Sequence, residues 1–151
     1  MNKDKIIKIL QQSSSEHIDW VRQGRMLVKG LPQYKIKTPQ QCQGINFGKW
    51  YSSEGYKLVN IPELERLNVI HQEISKTYTA LYYMTFDRRK QARSTLITAD
   101  EIEVPVEERR FRQQKLKHLE DKTIQFLKLL KRAQSKAQRI EEETLDSVWY
   151  T

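Results

Sequence analysis

The side chains best suited to chemistry in this chain are two of its three histidines and its single cysteine. His17 and His71 each take the place of an apolar residue on a helical stripe. The first stripe is Ile6, Leu10, Ser13, His17, Trp20/Val21 and Leu27/Val28; the second is Leu64, Leu67, His71, Ile74, Tyr78 and Leu81. Two half-buried imidazoles on two helices of one bundle can face each other, and neutral imidazole suits zinc, iron, copper or nickel. The plainer alternative is that each is a core histidine bonded to a backbone or hydroxyl group, because buried polar groups are as a rule satisfied. His118 lies beside the stripe of the last helix among Lys115, Lys117 and Lys122 and reads as a surface residue. Cys42, being alone, excludes an internal disulfide and any site built from several cysteines. There is no glycine-rich phosphate loop after a strand, no nucleophile elbow and no paired-carboxylate motif, so a non-catalytic role is expected.

The order of the motifs adds to this. His17-Ile18-Asp19-Trp20 is followed about 30 residues on by Phe47-Gly48-Lys49-Trp50-Tyr51. Glu54-Gly55, Pro62-Glu63-Leu64-Glu65-Arg66-Leu67 and His71 come next. This series, over about residues 10–85, resembles the chemoreceptor zinc-binding domain of bacterial chemoreceptors and diguanylate cyclases. The resemblance implies a four-helix bundle, often dimeric, with zinc held between helices by three histidines and one cysteine and coupled to a signalling output. It implies His17 and His71 as ligands and Trp20 with Phe47 to Tyr51 as scaffold. Two ligand positions depart from the pattern: the cysteine position is Ile45 and the further histidine position is Ser75. Isoleucine cannot bind a metal, and serine is a poor zinc ligand. Cys42 lies three residues before Ile45, nearly one helical turn, and could serve as a third ligand only if the site shifted along the axis. The expectation is therefore a scaffold whose zinc is lost or altered, with Ile45 packing where the cysteine would have been.

The elements that must position these residues are helices. Lys3 to Lys29 forms the first, with Gly24 on its stripe and Gly30 placed as a C-cap glycine. Thr38-Pro39-Gln40-Gln41 has the capping-box pattern and opens a short helix with Cys42 and Ile45, leading into the aromatic stretch. Trp20, Trp50 and Tyr51 are expected to seal the interface between the first helix and this short one. A third helix opens at Pro62-Glu63 and runs to about Arg93. Residues 94–104 read as a loop, with two short runs (95–98 and 102–104) that could pair as strands. The last helix is expected over 105–147. Leu116, Leu119, Thr123, Phe126, Leu130, Ala133, Ala137 and Ile140 follow a heptad pattern in it. At about 1.5 Å per residue it would measure roughly 60 Å, long enough to leave an overhang for a second copy. The whole reads as one all-α domain, residues 1–151: an antiparallel four-helix bundle with a long C-terminal helix.

Composition sets the remaining bounds. Hydrophobic residues are 38% and charged residues 30%, too apolar for disorder and too polar for a membrane protein. No apolar run approaches the ~20 residues of a spanning helix, and the first 30 residues lack a signal-peptide pattern, so no membrane insertion and a cytoplasmic location are expected. The net charge of +8 leaves room for nucleic acid or an acidic partner. Arg88, Arg89, Lys90 and Arg93 form one cluster and Arg109, Arg110, Arg112, Lys115 and Lys117 another. The two would join into one basic patch if the last two helices are antiparallel neighbours. Three functions are therefore open: a regulatory bundle with a signalling partner, a nucleic-acid or acidic-surface binder, and a coiled-coil assembly protein.

Overall fold

A computed structural model describes residues 3–42, 47–94 and 106–140, with the side chains of 88–94 excepted. Ile45, the proposed strand pair and everything after Ile140 lie outside the described residues, as do the side chains of Arg88, Arg89, Lys90 and Arg93. The described chain is all-α. Helix α1 is Lys3–Lys29, α2 Pro39–Cys42, α3 Phe47–Ser53, α4 Glu63–Ser94 and α5 Val106–Arg139, with single 3-10 turns at Gln33–Lys35 and Gly55–Lys57. No strand occurs among the described residues, and no described helix is long and apolar enough to cross a membrane.

The boundaries follow from local chemistry. Gly30 ends α1 at φ 83°, a left-handed conformation that glycine adopts without strain. The Gly30 amide bonds the Leu27 carbonyl and the Leu31 amide the Met26 carbonyl, closing the helix end. Helix α2 begins with a reciprocal capping box. The Gln41 amide donates to Thr38 Oγ1 at 3.2 Å, and the Thr38 amide donates to Gln41 Oε1 at 2.9 Å. Glu107 and Glu108 sit in the first turn of α5, where the helix dipole favours negative charge.

The three long helices bury the stripes read from the sequence. Ile6, Leu10, Trp20 and Leu27 of α1 are buried, as are Leu64, Leu67, Ile74, Tyr78 and Leu81 of α4 and Leu119, Phe126, Leu130, Ala133 and Ala137 of α5. Specific pairs fix the register. Arg25 meets Glu120 at 3.3 Å and Glu73 meets Lys122 at 2.9 Å, while Glu63 pairs with Lys136. A Cβ on Gly24 would reach Leu119 and Leu116 of α5 and Leu81 of α4, and one layer away His17 meets His71 and Phe126. Between these layers the numbers rise along α1 and α4 and fall along α5. Helix α5 thus runs against both, and the 30–62 crossover returns the chain to the start of α4.

Two expectations change here. Among the described residues the heptad face of α5 is an interior one. Its buried positions run from Arg112 to Ala137 and are covered by α1 and α4 of the same chain. The expected continuation to 147, and with it the overhang, lies outside the described residues; within them α4 has 32 residues against 34 for α5. Trp50 and Tyr51 do not seal an interface with α1. Helix α3 packs chiefly on α4, with Phe47 reaching Phe126 of α5 at a ring-centroid distance of 5.7 Å.

Candidate functional site: a buried histidine pair beside a polar cavity

His17 and His71 meet in the core. His17 Nε2 lies 2.8 Å from His71 Nδ1, and His17 Nδ1 lies 2.6 Å from the Ser13 carbonyl one turn earlier. His17 is 1% exposed and His71 5%. The His17 ring stacks on Phe126 with centroids 3.8 Å apart and planes at 15°. Phe47 lies 6.0 Å from the His71 ring, and Trp20 lies 6.1 Å from both imidazoles. Four helices, α1, α3, α4 and α5, therefore contribute a ring to one cluster.

The hydrogen bonds fix the protons. A carbonyl only accepts, so His17 Nδ1 carries the hydrogen. Burial, reinforced by repulsion from His71, lowers the His17 pKa to about 3, against a weaker upward pull from the Ser13 carbonyl. Burial likewise lowers His71 to about 4. Both rings are neutral near pH 7. A neutral His17 with its hydrogen on Nδ1 has a lone pair at Nε2, so the bond to it must come from His71 Nδ1–H. That leaves the lone pair of His71 on Nε2, which has no partner among the described residues.

His71 also lines a cavity of about 570 Å³ between α3 and α4. Lys49, Ser52 and Ser53 form the α3 wall with Gly48, and Gln72, Ser75 and Lys76 continue the α4 wall. Ser75, one turn from His71, belongs to this cavity and does not enter the core beside the histidines. Sequence reasoning passed over Ser52, Ser53, Gln72 and Lys76. The i, i+4 spacing of Ser75 from His71 was the available signal, and it has meaning only once α3 is known to lie on α4.

Cys42 does not join the pair. Its carbonyl accepts from Trp20 Nε1. Its thiol lies against the Tyr78 hydroxyl, and burial pushes its pKa up to about 11, so it stays a thiol. Tyr78 sits two turns along α4 from His71 and donates to the Lys37 carbonyl at 2.6 Å. As arranged, the donors do not fit a resident zinc. Two nitrogens on one tetrahedral zinc, each at about 2.0–2.1 Å, stand roughly 3.3 Å apart. Here they are 2.8 Å apart with a proton between them. Among the described residues no group of three or more His, Cys, Asp or Glu is placed to hold a metal ion, so Cys42 is not set beside His17 and His71 as a third ligand.

The other candidate residues are placed as follows. His118 is exposed. Arg109 and Arg110 are exposed, but Arg112 is 8% exposed and donates to Glu108 Oε1 at 3.1 Å, so it is withdrawn from the basic patch. Trp50 stacks over Gly55, where a Cβ would come within 2.8 Å of its ring. Compared with family models, curated proteins and solved structures, the chain matches none.

Proposed function

We propose that this chain is a non-catalytic sensory or regulatory module, a bundle of three long helices carrying the short α3, related in design to the chemoreceptor zinc-binding domain. In this reading a directly bonded histidine pair occupies the place of the metal. The observation that carries the proposal is the His17–His71 hydrogen bond at 2.8 Å, enclosed by rings from α3 and α5. Replacing a buried polar pair by well-packed apolar residues is often neutral or stabilising. Packing alone therefore does not call for histidines here, whereas a bond with two alternative states does. Any event that engages the open side of His71 alters the bond to His17 and with it the spacing of α1 and α4. Because interfaces of packed helices are bistable and resist continuous deformation, such a shift reaches α5 and α3 together. The output then belongs to a protein partner, in the cytoplasm. The interior seam of α5 gives the assembly reading no support, and the loss of Arg112 to Glu108 weakens the nucleic-acid reading.

The test is amide hydrogen exchange on two variants. His71→Asn keeps a side-chain N–H where Nδ1 stands; His71→Leu removes it. The proposal expects faster exchange in α1, α3 and α4 together in the leucine variant and near-native exchange in the asparagine variant. Changes confined to the turn of α4 around residue 71 in both would contradict it.

A further inference from the structure

We infer that the cavity between α3 and α4 is a site for a hydrogen-bearing oxyanion, hydrogen phosphate, which donates its P–OH to His71 Nε2 and accepts from Lys76 and the serine hydroxyls. The inference rests on the reading of His17–His71 as the controlling pair and names what engages its open side. Its first support is the direction of the hydrogen-bond chain. Ser13 carbonyl, His17 and His71 Nδ1 are oriented by a carbonyl that can only accept, so the atom left over is an acceptor. A ligand at this atom must bring its own proton.

The second support is the charge and composition of the walls. Lys49 and Lys76 stand on opposite helices, Ser52 and Ser75 supply hydroxyls while that of Ser53 donates to the Trp50 carbonyl, and no carboxylate lines the cavity among the described residues. Lys76 has no ion-pair partner among the described residues and is exposed. Cationic and hydroxyl donors favour an anion, whereas the unprotonated imidazole disfavours one that has no hydrogen. Hydrogen phosphate satisfies both demands at once: its charged oxygens accept, and its one hydroxyl donates. Sulfate has no hydrogen to give near neutral pH. A phosphomonoester, whose second pKa is near 6, has lost its hydrogen at pH 8. To each of them His71 presents a lone pair at Nε2, because its one hydrogen is held on Nδ1 by His17. The site thus separates hydrogen phosphate from sulfate, a dianion of similar size and charge, by the presence of one proton, and a phosphomonoester dianion lacks that proton too.

The experiment uses the full chain at pH 8 and constant ionic strength. Inorganic phosphate, sulfate and phenyl phosphate are titrated separately, with calorimetry and the imidazole nitrogen signals of His71 as readouts. Phosphate is expected to move the His71 Nε2 signal while leaving the ring neutral. It should bind at least about tenfold more tightly than either other anion, the cost of an unpaired polar atom at the site. Lys76→Ala, a surface change that spares the core, should weaken phosphate several-fold and leave the His17 signals in place. Equal affinity for the three anions, or phosphate binding that leaves His71 Nε2 unmoved, would overturn the inference. No binding of phosphate at all would do the same, while the coupled hydrogen exchange of the His71 variants would then still stand or fall by itself.

Discussion

At the residue scale, the two histidines make folding depend on pH between their folded values and the ordinary histidine value. Both folded pKa values, about 3 and about 4, lie below the ordinary value near 6.5. Between these limits the unfolded chain binds protons that the fold excludes. The histidine contribution is therefore fully present above about pH 6.5 and is lost as pH falls toward 4. Each excluded proton is worth about 1.4 kcal/mol per pH unit, so the slope approaches roughly 2.7 kcal/mol per unit when both are excluded. Around the pair the facing groups are the uncharged rings of Trp20, Phe47 and Phe126, with Lys49 and Lys76 on the cavity walls. None is a carboxylate that would rescue a charged imidazole. Asp19 acts at lower pH. Burial works against its ionised form, yet hydrogen bonds from Lys37 and Arg22 hold its pKa below the usual carboxylate value. Its contribution is lost as pH falls below that value. Urea melts from pH 7.5 to 4.5 should show the midpoint falling steadily. The double variant His17→Phe with His71→Leu should be nearly flat over the same range. A native midpoint independent of pH above 5 would contradict the neutral pair.

At the scale of elements, the packing of α1 on α5 depends on Gly24. It lies where a Cβ would come within 2.7 Å of Leu119 and 3.5 Å of Leu116. Alanine in place of glycine gains about 1 kcal/mol of helix propensity, but overpacking a filled core typically costs about 1–3 kcal/mol. Leu119 is fully buried and has little room to yield. Gly24→Ala should therefore lower stability by about 1 kcal/mol in urea melts; a gain would mean that α1 and α5 are less tightly packed. The capping box of Thr38 and Gln41 and the C-cap at Gly30 were both legible in the sequence because each depends on residues within one turn. The docking of α3 was not. Phe47-Gly48-Lys49-Trp50-Tyr51 announces a rigid aromatic element, but which helix it lies on depends on contacts some 20–80 residues away.

For the whole molecule, periodicity revealed which faces are buried but not what buries them. The α5 stripe reads equally as an intermolecular seam or an interior one, because a heptad pattern specifies a partner helix and not its chain. Two long helices of the same chain, α1 and α4, supply that partner. The site divides in the same way. His17 and His71 stood out because each interrupts an apolar stripe, and their meeting follows from two stripes sharing one core. The cavity was hidden because its serines and lysines are ordinary surface residues until α3 and α4 bring them together. Phe126 ties the whole together: it is fully buried, stacks on His17 and meets Phe47 edge-on. Phe126→Ala should cost about 3–5 kcal/mol and raise hydrogen exchange in α1, α3 and α5 alike. A loss below 1 kcal/mol would show that the cluster is not a shared core.

The central claim is that a neutral, oriented hydrogen-bond chain runs from the Ser13 carbonyl through His17 to His71. Two-dimensional nitrogen–proton spectra of the imidazole rings at pH 7 test it most directly, because they report which nitrogen of each ring bears the hydrogen. The account predicts that both His17 and His71 carry it on Nδ1, with slow exchange against solvent and no positive charge on either ring. A hydrogen on Nε2 of either residue, or a charged imidazolium at this pH, would contradict it.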